Sequence, residues 1–133
     1  MAKILVIDDE PLVVAVLVEI LKADGHQVAT ANSVVQGFES VTRHSPDLVI
    51  VDIEIPAGQP TGLDLLKQIK EHNHAIAVVM ITGAASKQRV VAALRGGAQD
   101  FIEKPFTADE VTKRVETALA QQHELGQHEQ RLF

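Results

Sequence analysis

Four places in the chain carry side chains whose types could bind and move a phosphoryl group. Asp8, Asp9 and Glu10 stand side by side after the apolar run KILVI, Asp52 closes the run DLVIVD, Thr82 closes IAVVMIT, and Lys104 follows DFIE. Adjacent carboxylates repel, and partial burial deepens the repulsion, so a site that gathers them needs something to offset it. Three close carboxylates form an all-oxygen ligand set for a hard divalent cation. Magnesium takes few protein ligands and keeps waters, which suits a rim. Calcium would want the spaced ligands of an EF-hand loop, which this sequence lacks. Lys104 would add a second positive charge, and cation and lysine together neutralise a phosphoryl group and the charge developing around it. One aspartate could then act as nucleophile and form an acyl phosphate. Thr82 could donate a hydrogen bond to a phosphoryl oxygen, and Gly83 would leave room for the group to enter.

These residues are far apart in sequence, so the elements around them must bring them together. Apolar runs and amphipathic stretches alternate along the chain. Strands are predicted at Lys3–Ile7, His26–Ala31, Asp47–Asp52, Ile76–Thr82 and Asp100–Glu103. The first helix starts with Pro11 at its first position and stops at Gly25. Ser33 with Gln36, and Thr107 with Glu110, form capping-box patterns ahead of the second and fifth helices, which are predicted to reach about Arg43 and His123. The third helix is read from LDLLKQIKEH and the fourth from Ser86 to the glycine pair at Gly97. IEIPAGQPTG, with two prolines and two glycines, must be a loop.

Strands and helices that alternate with short connections imply a parallel sheet covered on both faces. The strands ending at Ile7, Asp52 and Thr82 are continuously apolar, as strands buried on both faces should be. Those starting at His26 and Asp100 are short and more polar, which puts them at the edges. The predicted fold is therefore an α/β, flavodoxin-like doubly wound sheet of five parallel strands in the order 2-1-3-4-5, with five helices. Ligands of such sheets bind beyond the carboxyl ends of the strands, near the switch point between the first and third. Asp8, Asp9, Asp52, Thr82 and Lys104 all fall on that rim.

Composition narrows the function. The chain of 133 residues suits one domain with one core, and no repeat or internal boundary divides it. A net charge of −6 argues against gripping a nucleic-acid backbone, which needs a basic face. Without cysteine there is no disulfide, thiolate zinc site or cysteine nucleophile. No apolar run is long enough to cross a bilayer and the N-terminus lacks a signal-peptide layout, so a cytoplasmic protein is expected.

The motifs IDDEP, VDIEIP, MITG and EKPF, in this order and spacing, resemble the receiver domain of two-component response regulators. Each is weak alone; together, each at the end of its expected strand, they are specific. The resemblance covers residues 3 to 122, giving a receiver over 1–122 and a tail from 123 to 133 that is either a frayed helix end or the start of a linker. It implies that Asp52 is the phosphoacceptor. Asp9 would ligate magnesium directly, Asp8 mainly through a water, and the backbone carbonyl of Glu54 would complete the protein's ligands. Thr82 and Lys104 would contact the phosphoryl group, and Phe101 would be the switch aromatic that turns as Thr82 moves inward. The donor would be a histidine on a sensor kinase or phosphotransfer protein. The output would pass through the face of the fourth helix, fifth strand and fifth helix to a downstream protein or output domain. The sequence departs from the family pattern twice. The loop after Asp52 is longer than usual, and Glu54 adds an acid that could orient a water, pair with Lys104 or slow phosphorylation.

Plainer readings stand beside these. The three acids could simply favour a helix N-terminus. Thr82 could be a strand-end hydroxyl, Lys104 a solvated turn residue, and Phe101 an edge-strand residue packed on a helix. The six histidines are dispersed without metal-ligand spacing. Among other functions, a nucleotide or flavin binder would want glycines where DDEP stands. An aspartate-nucleophile phosphatase loosely fits Asp52-Ile53-Glu54 but would need a cap over its substrate. A degenerate receiver that only docks a partner would have lost a site residue, and none is missing. No output segment follows residue 122, which fits a stand-alone receiver or a domain of a longer regulator.

Overall fold

The computed structural model describes residues 1–55, 61–83 and 87–131, with the side chains of 87 and 123–131 left aside. Pro56 to Pro60 of the long loop, Ala84 to Ser86 before the fourth helix, and the terminal Leu132 and Phe133 lie outside the described residues. In chain order the elements are β1 (Lys3–Ile7), α1 (Pro11–Ala23), β2 (Gln27–Ala31), α2 (Val34–His44), β3 (Leu48–Asp52), α3 (Gly62–His72), β4 (Ala77–Thr82), α4 (Lys87–Arg95), β5 (Asp100–Glu103) and α5 (Ala108–Arg131).

The strands pair in parallel in the order β2-β1-β3-β4-β5, as the apolar patterns require. Every residue of β3 and β4 is buried, whereas β2 is mostly exposed and only Ile102 of β5 is fully buried, as suits edge strands. Side chains alternate across the sheet, so each central strand feeds two cores. Leu5, Ile7, Val49, Val51, Val78 and Met80 face α2, α3 and Ala93 of α4. Ile4, Val6, Leu48, Ile50, Val79 and Ile81 face Leu17 and Leu21 of α1 and Val111, Val115 and Ala118 of α5. Burying each of these aliphatic side chains contributes roughly 1.5–3 kcal/mol. Right-handed crossovers dictate the split: the chain steps one way from β1 to β2 and the other way from β1 towards β5, so helices land on opposite faces.

Local sequence sets the helix ends. Pro11 occupies the first turn of α1, and Gly25 adopts φ +88° just beyond its end, a conformation that only glycine takes cheaply. Ser33 accepts the Gln36 N–H at 3.2 Å, and Thr107 accepts that of Glu110 at 3.2 Å, as their spacing predicts. α3 opens on a reciprocal capping box between Thr61 and Asp64. α5 runs to Arg131, past the expected end near His123: Gly126 lowers helix propensity by only about 1 kcal/mol, too little to stop a long helix.

Gly62 is the tightest point of the fold. A Cβ there would lie 2.3 Å from the Asp52 carbonyl oxygen and 3.0 Å from Ile53 Cα, both backbone atoms that have nowhere to go. The first residue of α3 thus sits directly on the end of β3. Gly62→Ala is expected to lower stability by about 1–3 kcal/mol, read as a lower urea midpoint with an unchanged slope. An unchanged midpoint would show that this close approach is not required.

Candidate functional site

The sheet's hydrogen-bond ladder continues one residue past its strands, and that continuation places the site. Asp8 N–H donates to Ala31 O at 3.2 Å, Ile53 N–H to Ile81 O at 2.9 Å, and Lys104 N–H to Thr82 O at 2.8 Å. The side chains at these strand ends converge on one rim. Asp8, Asp52 and Thr82 are the buried polar residues of the described chain, each no more than 3% exposed. Lys104 reaches over them, and its peptide bond to Pro105 is cis. Its Nζ lies 3.1 Å from Glu10 Oε1, 3.5 Å from Asp8 Oδ2 and 3.7 Å from Asp52 Oδ2.

Each buried aspartate anchors a turn of the same form. Asp8 Oδ1 accepts the Glu10 N–H at 2.9 Å, and Asp52 Oδ1 accepts the Glu54 N–H at 3.0 Å. The turns aim the two glutamates across the mouth. Glu10 takes the Lys104 ammonium, and Glu54 Oε1 accepts a hydrogen bond from Thr82 Oγ1 at 3.3 Å. Of the roles left open for Glu54, pairing is observed with Thr82; Lys104 pairs instead with Glu10.

The electrostatics are those of a site short of positive charge. Burial pushes the Asp52 carboxyl up to about 6; the Glu54 N–H works against this, Asp8 adds to it, and Lys104 again opposes it. Burial alone would lower the Lys104 ammonium, but its bond to Glu10 and the charges of Asp52 and Asp8 hold it above the ordinary lysine value. Oxygens of Asp8, Glu10 and Asp52 lie within 4.8 Å of one another. Asp8 Oδ2 is buried and accepts no hydrogen bond. A clustered oxygen set in which a buried oxygen accepts no hydrogen bond and meets only the Lys104 ammonium at 3.5 Å fits a small divalent cation.

Asp9, expected as a direct ligand, is exposed and stands outside that trio; Glu10 takes its place within it. The sequence did hold a signal for Glu10, because Asp-x-Glu follows both β1 and β3. Gly83 is open as expected: a Cβ there would only touch Lys104 Cδ at 3.7 Å. Phe101 is half-buried against the α2–α3 core, with the Arg114 guanidinium 5.8 Å from its ring centre. Arg114 also grips Asp100 through both carboxylate oxygens at 2.8 and 2.9 Å.

Fold and rim together define a doubly wound α/β domain with an acidic, lysine-bearing site at its switch point. The chain belongs to the response regulator receiver domain family, whose model matches residues 4–116. It is 37% identical over 116 residues to the nitrogen assimilation regulatory protein NtrX of Azorhizobium caulinodans, covering 87% of this chain and 26% of that one. It is 35% identical to the chemotaxis protein CheY of Bacillus subtilis, covering 88% of this chain and 97% of that protein. The crystal structure of NtrX from Brucella abortus superposes with a TM-score of 0.90 at 36% identity, over 99% of this chain and 29% of that one. A response regulator receiver domain from Clostridium thermocellum gives 0.86 at 33% identity, over 94% and 99%. The chain thus spans about a quarter of the NtrX length and nearly all of CheY. Among the described residues no helix is long and apolar enough to cross a membrane.

Proposed function

We propose that this domain is the phosphoacceptor of a two-component signalling pathway, with Asp52 as the nucleophile. The observation that carries the reading is the convergence of a buried Asp52 with Asp8 and Lys104 at the switch point, where Asp8 Oδ2 accepts no hydrogen bond. In the transfer, a carboxylate oxygen of Asp52 bonds to phosphorus as the bond from phosphorus to a donor imidazole nitrogen breaks. The electron pair leaves with that nitrogen, which is then protonated. Lys104 and Thr82 bind the phosphoryl oxygens, and Gly83 keeps the approach clear. Asp8, Asp9 and Asp52, with the Glu54 carbonyl, would hold magnesium, which would supply the positive charge that burial of Asp8 and Asp52 demands. The domain catalyses only its own phosphorylation and dephosphorylation.

The donor is a sensor histidine kinase or phosphotransfer protein in the cytoplasm. Occupation of the site draws on Thr82 and Phe101, and the face of α4, β5 and α5 passes the change to a downstream protein or output domain. Residues 1–122 are the receiver unit, and the rest of α5 leads away from it. The reading is tested by intact mass after incubation with acetyl phosphate: one magnesium-dependent phosphoryl adduct is expected, and an adduct that needs no magnesium or maps to an aspartate other than Asp52 would overturn it.

The metal ligands have their own test, because Asp9 and Glu10 compete for one role. Asp9→Ala is expected to weaken magnesium binding at least about tenfold, followed by amide chemical shifts in a titration. Unchanged affinity in Asp9→Ala, with a loss in Glu10→Gln, would move the ligand to Glu10.

A further inference from the structure

We propose that Glu10 and Glu54 are paired clasps that hold Lys104 and Thr82 in the unphosphorylated domain and must release them before a phosphoryl group can enter. The inference rests on the phosphoacceptor reading and concerns how that same site is restrained. Lys104 and Thr82 are the ammonium and hydroxyl that phosphoryl oxygens would need. In the structure a carboxylate oxygen already stands in each of those positions, at 3.1 Å from Lys104 Nζ and 3.3 Å from Thr82 Oγ1. Lys104 lies closer to Glu10 than to either buried aspartate.

The two clasps are built alike. Each glutamate sits two residues after a buried aspartate, and its N–H is fixed on that aspartate's Oδ1 at 2.9 or 3.0 Å. The turns hold the backbone, while both glutamate residues are exposed at the mouth of the site. An incoming phosphoryl group meets two extra negative charges and must displace two contacts that already satisfy its partners. Such hydrogen bonds and exposed ion pairs are modest, so the restraint tunes phosphorylation rather than preventing it.

The test is titration of beryllofluoride, a phosphoryl mimic, at saturating magnesium into wild type, Glu10→Gln, Glu54→Gln and the double variant, followed by backbone amide shifts. Glu103→Gln serves as a charge control, since it removes an exposed acid one residue from Lys104. Each single clasp variant is expected to bind about three- to tenfold tighter than wild type, and the double variant tightest. The control should remain near wild type. Equal or weaker binding in either single variant overturns the pair, as does equal tightening in Glu103→Gln. Binding that is the same in all proteins sinks this inference and leaves the phosphoacceptor reading standing. Absence of binding in every protein sinks both.

Discussion

Asp52→Asn is expected to fold as the wild type does and to take up no phosphoryl group. The amide keeps the shape of the carboxylate and an oxygen that can still accept the Glu54 N–H, so the turn after β3 survives. It loses the anionic oxygen that would attack phosphorus, and neutral amides are poor nucleophiles. The expected drop in phosphorylation rate is at least about 1000-fold, the scale on which removal of a nucleophile acts. The measurement is intact mass with acetyl phosphate and magnesium, followed by peptide mapping of any adduct. Asp8 makes this a sharp test, because it is a second buried carboxylate in the same rim with an oxygen that accepts no hydrogen bond. An adduct formed at the wild-type rate and mapped to Asp8 or Glu10 would remove Asp52 from the role.

The same substitution is expected to stabilise the metal-free protein, and to do so only above mildly acidic pH. Burial raises the Asp52 carboxyl from 3.8 to about 6 in the folded state. Between those values the folded chain binds more protons than the unfolded chain, so the contribution of Asp52 to stability falls as pH rises through the window. Above it, the charged carboxylate costs on the order of 1–3 kcal/mol, reduced by its partial pairing with Lys104. Asn carries no such charge. The stability difference between Asp52→Asn and wild type, from urea unfolding without metal, should therefore be small near pH 4 and open by that amount by pH 7.5. Saturating magnesium should narrow it again, because ligand binding favours the folded wild type. A difference that does not change with pH would mean that the Asp52 carboxylate is not strained by burial.

Both predictions concern residues that can be picked out without coordinates. Strand and helix order, the two edge strands, and Asp52, Thr82 and Lys104 at the strand ends are legible in the chain because each depends on neighbours in sequence. Continuously apolar strand runs, caps at Ser33 and Thr107, and the stop at Gly25 are local physics. The parallel order then follows from which runs are apolar throughout, and the rim follows from the order.

Other features appeared only when the chain was folded. Lys104 and Glu10 are 94 positions apart, and two long side chains find each other only after β1 and β5 have been placed in one sheet. The repeated Asp-x-Glu only hints at Glu10; the turn on Asp8 Oδ1 is what brings Glu10 rather than Asp9 into the carboxylate trio. Lys70 likewise reads as a surface lysine on an amphipathic helix. Its ammonium instead donates to the Ile76 carbonyl at 2.6 Å and the His74 carbonyl at 3.3 Å, and burial pulls it down to about 8. By itself the sequence determined which residues stand at the ends of the strands, because pattern and propensity act over a few residues. Tertiary structure alone decided how deeply the carboxylates are buried and which charge each one meets, because burial and long-range pairing depend on what the rest of the chain packs around them.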